Sequence, residues 1–141
     1  MPKAPHTHLS AVDHVREHLA DETERLSCRV QEGTDRVLLH LSGELDLLGA
    51  PKAARVFREC LNTSSGTVVC DLAGLDFLAT SGLRVLLEVN EQARARQQEL
   101  VLLTGGASAE VLRLLEITDT RSMLTCRADL EETDTPVVAA P

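Results

Sequence analysis

The order of elements predicts an α/β fold: a mostly parallel central sheet of about 4–5 strands, opened by a β-hairpin, packed by about 3–4 helices and joined by an extra N-terminal helix. Three observations carry this expectation. Leu26, Cys28 and Val30 alternate with polar residues, and so do Val37, Leu39 and Leu41 after a turn at Glu32-Gly33-Thr34-Asp35, as in a hairpin. Beyond that hairpin, short apolar runs alternate with helical patterns, which implies crossover connections and parallel pairing. The run Leu100 to Leu103 is continuously apolar, as a strand covered on both faces should be.

The elements follow in order. Residues 1–24 read as an N-terminal extension. Its first eight residues, with Pro2 and Pro5, form a loose tail. From Ser10 to Glu24 a helix is expected. Ser10 and Asp13 fit a capping box, and Val12, Val15 and Leu19 recur at helical spacing. That stripe spans only about 60°, too narrow to fold alone but wide enough to dock, either on the domain or across a homodimer through this helix. Residues 25–129 form the domain. After the hairpin, Gly43-Glu44-Leu45-Asp46 makes a loop, Pro51 starts a helix that Ala53 to Leu61 continues, and Asn62 to Gly66 breaks it. Thr67 to Leu72 is a strand, and Leu75 to Leu78 is a separate apolar patch. From Gly82 to Gln97 the pattern is helical, with an apolar arc of about 200° that suits a helix pressed on a sheet. Gly105-Gly106 ends the next strand, Ser108 caps a helix over Ala109 to Leu115, and Met123 to Cys126 forms a last strand. Residues 130–141, acidic and then Pro-containing, are expected to be disordered.

Composition narrows the function. Phe57 and Phe77 are the only aromatic residues among 141, so there is no platform for stacked bases and no cage for a quaternary ammonium. The net charge of −8 disfavours nucleic acid and anionic membrane surfaces. No apolar run reaches the length of a membrane span, and no apolar leader opens the chain. Cys28, Cys60, Cys70 and Cys126 form no C-x-x-C pair. A cytoplasmic protein with reduced, structural thiols is expected.

The segment VVCDLAGLDFLATSGLRVLL, Val68 to Leu87, resembles the signature of the STAS domain, in particular that of bacterial anti-sigma factor antagonists. Gly43-Glu44-Leu45-Asp46, Leu100 to Gly106 and Val111 to Leu115 agree with the same family, and the resemblance runs from about Leu26 to Asp129. It implies a STAS-like fold and a non-catalytic protein without a cofactor or metal. The expected partner is an anti-sigma factor with serine kinase activity. The kinase phosphorylates the serine before the glycine, here Ser81, and a separate PP2C-type phosphatase reverses the step. The unphosphorylated antagonist binds the kinase and frees a sigma factor. The resemblance also implies a docking face that includes Asp46, Asp76, Ala79, Thr80, Gly82, Leu83 and Arg84. Physical chemistry agrees with Ser81 as acceptor, because a helix start favours an anion, and Gly82 admits a close backbone. Asp76 nearby makes added charge more disruptive. One departure stands out: the family commonly carries Asp where this chain has Ala79. An alternative reading is a non-catalytic STAS subunit or scaffold of a transporter or stress-signalling assembly.

Enzymatic readings are weaker. His14-Val15-Arg16-Glu17-His18 matches the H-x-x-E-H zinc pattern, which requires a helix. No third ligand follows it, and adventitious metal binding with His6 and His8 is the milder version. No G-x-S-x-G or phosphate-binding glycine loop is present, and Ser81 has no assignable base. Asp46, Asp71 and Asp76 read better as turn and strand-end residues than as a metal cluster.

Overall fold

A computed structural model describes residues 14–33 and 35–129. Six strands form one sheet in sequential order. They are β1 (His14–His18), β2 (Leu26–Glu32), β3 (Arg36–Leu45), β4 (Thr67–Leu78), β5 (Glu99–Leu103) and β6 (Thr125–Arg127). The first three are antiparallel neighbours, and β3 to β6 run parallel. The sheet is therefore mixed, and it has six strands rather than four or five. Helices α1 (Ala50–Thr63), α2 (Thr80–Ala95) and α3 (Ala109–Ile117) make the three parallel crossovers. Successive right-handed crossovers that step the same way place their helices on one face. One core joins them: Phe57 of α1, Leu86 of α2 and Leu115 of α3 pack with Leu39, Cys70 and Leu102 of the strands. The opposite face carries a small apolar strip, Val69, Val101 and Leu103 with Leu38.

The expected N-terminal helix is overturned where it is described. His14–His18 is a strand paired with β2, in the register Arg16↔Val30 and His18↔Cys28; residues 1–13 lie outside the described set. The reason lies in the pattern itself, since Val15 and Leu19 are four apart and satisfy period 2 as well as period 3.6. The free edge of β2 offers backbone hydrogen bonds that a short, narrow-striped helix lacks. Arg16 and His18 turn toward the helical layer, where Arg16 pairs with Glu32 and His18 lies 3.7 Å from Glu59 of α1. Inward charge of this kind blunts an edge strand against further pairing. The zinc pattern falls with the helix, because residues four apart on a strand are separated by about 13 Å.

β4 runs on as one strand where two apolar patches were expected. A register shift between His40 and Ser42 lets the chain continue, and Asp71 Oδ1 accepts from the amide of Ala73 at 2.9 Å. A Cβ at Gly74 would lie 2.8 Å from the carbonyl oxygen of Leu41, so only glycine fits. Ser108 caps α3 as expected, accepting from the amide of Val111.

Candidate functional site

The two longest strands end side by side. Leu45 of β3 pairs with Leu78 of β4, and the amide of Ala79 donates to the Leu45 carbonyl at 2.9 Å. From this joint the chain leaves in two directions. After β3, Asp46 builds a tight turn: its Oδ1 accepts from the amides of Leu48 and Gly49, both at 3.1 Å. Its carbonyl accepts from Ala50 at 2.9 Å, which starts α1. Upstream, Gly43 holds φ +96°, and a Cβ there would lie 2.1 Å from the Arg25 carbonyl oxygen. The Gly43 to Asp46 element therefore sets how β3 reaches this edge.

After β4, Ala79 is the extended N-cap residue of α2. The first intrahelical bond runs from Leu83 to the Ala79 carbonyl at 2.9 Å. Thr80, Ser81 and Gly82 are thus the first three helical residues, and their amides have no intrahelical acceptor. No side chain caps this end, and its first turn holds no carboxylate. Ser81 is half-buried, Thr80 is exposed, and Asp76 and Arg84 are exposed. Arg84 stands three residues after Ser81, one turn along the same helix face. Ser81 does not cap the helix, since Ala79 occupies the N-cap position.

Two expected contact residues serve the interior instead. Leu83 is 4% exposed and belongs to the core. Gly82 is buried, and a Cβ there would lie 2.5 Å from Leu45 Cγ and 2.9 Å from the Leu45 carbonyl oxygen. The close approach that Gly82 permits is therefore to the chain's own β3. Sequence reasoning missed Leu47 and Leu48, which are 74% and 59% exposed beside this site. Two adjacent leucines in a turn carry no periodicity, so no pattern marked them. An open groove of about 270 Å³ lies between the end of β4 and α3, lined by Phe77, Leu78, Glu110, Arg113, Leu114 and Ile117.

Among the described residues no three His, Cys, Asp or Glu side chains are grouped to hold a metal ion. Asp46 and Asp71 are engaged by backbone amides, and Asp76 stands exposed on β4. The four cysteines are thiols and form no disulfide. Burial pushes Cys28 up to about 11 and Cys60 up to about 12, and it raises Cys70 well above the usual thiol range. None of these three is poised as a nucleophile. No helix among the described residues is long and apolar enough to cross a membrane.

Residues 25–133 match the STAS domain family. The anti-sigma-B factor antagonist of Listeria monocytogenes is 34% identical over 95 residues, spanning 66% of this chain and 81% of that protein. The fold is similar to the crystal structure of an anti-sigma factor antagonist from Mycobacterium paratuberculosis. That comparison gives a TM-score of 0.64 at 18% identity and covers 80% of this chain and 93% of the other. The Bacillus cell fate determinant SpoIIAA in its phosphorylated form aligns with a TM-score of 0.57 at 17% identity, over 76% of this chain and 96% of the other.

Proposed function

Because the chain belongs to the STAS domain family, we propose that it acts as an anti-sigma factor antagonist switched by phosphorylation of Ser81. The observation that carries this reading is the open first turn of α2. It presents Ser81 beside unpaired amides, with no cap and no carboxylate in competition. In the forward step the Ser81 oxygen attacks the terminal phosphoryl group of ATP, the serine proton passes to a base on the kinase, and ADP leaves. A PP2C-type phosphatase returns serine and inorganic phosphate by hydrolysis. This protein is then a substrate and a binding partner, not a catalyst, and it works in the cytoplasm.

The added charge of about −1.5 to −2 sits at a positive helix end, so the fold tolerates it. Arg84 one turn along offers a cation. The effect falls on docking instead: the unphosphorylated face of Asp46, Asp76, Thr80 and Arg84 binds the kinase, and phosphate breaks that complex. Ala79 supplies no carboxylate at the position where the family commonly has one. The side chain is half-buried, and its backbone bonds to Leu45 and Leu83 do not depend on it. The departure therefore changes recognition and leaves the geometry intact.

The test is a pull-down with Ser81→Ala against Ser81→Asp from a lysate of the source organism, repeated with its purified anti-sigma-type serine kinases. A kinase retained by the Ala variant and lost with Asp supports the switch. Equal binding by both, or a transporter ATPase or multi-copy assembly in place of a kinase, supports the scaffold alternative.

A further inference from the structure

We propose that the connector between β1 and β2 is a second part of the docking face and selects which partner Ser81 responds to; this rests on the docking reading above. The family match begins at residue 25, so β1 and most of its connector lie outside the matched residues. They are nevertheless held firmly. Lys52 of α1 is 8% exposed. Its Nζ donates to the carbonyl of Leu19 at 2.6 Å, to that of Leu26 at 2.8 Å and to Glu24 Oε1 at 3.2 Å. Asp21 Oδ1 accepts from the amides of Thr23 and Glu24, at 2.8 and 3.1 Å, and these bonds hold its carboxyl below the usual range. The Ala20 amide donates to Ser27 Oγ at 2.8 Å.

This anchoring places the connector against the site. The Glu44 amide donates to the Arg25 carbonyl at 2.8 Å. A Cβ at Gly49 would lie 3.3 Å from Leu26 Cβ, so the Asp46 to Gly49 turn packs directly on the start of β2. That turn follows Leu45, whose carbonyl holds Ala79 at the head of the Ser81 helix. The connector, the Asp46 turn and the head of α2 all leave the same end of the sheet, since His18 pairs with Cys28, Leu26 with Gly43 and Leu45 with Leu78. Leu19, Leu47 and Leu48 at that end are 67%, 74% and 59% exposed. Exposed Asp21 and Glu22 follow Leu19 in the connector. Three exposed leucines edged by acids fit one kind of occupant: the kinase partner, presenting an apolar pocket ringed by Lys or Arg. Apolar anchors of this kind carry binding energy, and rim charges steer the encounter. A connector already ordered by Lys52 loses little entropy on docking.

The experiment measures affinity of the full-length wild type, Leu19→Ser, Leu47→Ser and Ser81→Asp for each purified anti-sigma-type serine kinase of the source organism, with melting temperature as control. Leu19→Ser is expected to weaken its cognate kinase about tenfold, with an unchanged melting temperature and a smaller loss for other kinases. If Leu19→Ser binds as wild type while Ser81→Asp loses binding, the connector is not part of the face and the inference fails alone. If Ser81→Asp binds as wild type, or no kinase binds, the docking reading fails with it. A change in the protein's own oligomeric mass at unaltered kinase affinity would assign Leu19 to self-association instead.

Discussion

The 2.9 Å hydrogen bond from the Ala79 amide to the Leu45 carbonyl ties the exit of β4 to the exit of β3. It is the joint on which the site depends, because α2 starts one residue after Ala79 and the Asp46 turn starts one residue after Leu45. Neither loop can shift without moving the other.

Gly82→Ala tests how tightly that joint is packed. An added Cβ would meet Leu45 Cγ at 2.5 Å and backbone oxygen at 2.9 Å. Glycine to alanine normally favours a helix by about 1 kcal/mol. Overpacking against a strand end costs about 1–3 kcal/mol. The clash includes backbone, so the variant is expected to be less stable in urea denaturation. Equal or higher stability would show that Leu45 can yield.

Ser81→Asp should behave in the opposite way. A carboxylate in the first turn interacts favourably with the helix dipole by about 0.3–1 kcal/mol, and the site is partly open. The urea midpoint is expected to hold or rise slightly. A clear loss would mean that a phosphate strains the fold, rather than altering docking.

Lys52→Met removes the charge that fixes the connector. Two carbonyls and Glu24 lose their donor, at a cost of about 1–3 kcal/mol. Faster amide hydrogen exchange in residues 19–26 is expected alongside it. Unchanged exchange there would show that β1 pairing alone anchors the segment.

The buried thiols predict an alkaline limit. Cys28 and Cys60 rise from 9.0 to about 11 and about 12 through burial. The folded state therefore holds these protons more tightly than the unfolded chain. Their contribution is complete below about pH 9 and is lost as pH rises toward 11–12, by at most about 1.4 kcal/mol per pH unit for each thiol. Melting temperature should fall across that window and fall less steeply in Cys28→Ala. At neutral pH a thiol reagent should reach Cys126 well before the three buried cysteines. Rapid labelling of all four would contradict the burial.

The sequence showed the hairpin, the three crossover helices and the Ser108 cap because each has one dominant signal. Alternation, a wide apolar arc and a capping hydroxyl do not compete with other patterns at those places. β1 is ambiguous in sequence because spacing by four fits both a helix and a strand, and the free edge of β2 decides between them. The extension of β4 through Ala73 and Gly74 depends on a register shift that involves Leu41, which is remote in sequence. At the site, the string Asp71 to Leu83 located Ser81. It could not show that Gly82 and Leu83 face inward or that Leu47 and Leu48 face out, because those directions follow from packing on Leu45.

The most direct measurement is intact-mass spectrometry, with site mapping, of the wild type and Ser81→Ala incubated with ATP and each anti-sigma-type serine kinase of the source organism. The account predicts one phosphoryl group on the wild type, mapped to Ser81, and none on Ser81→Ala. No modification of the wild type by any of these kinases, or equal modification of Ser81→Ala, would contradict it.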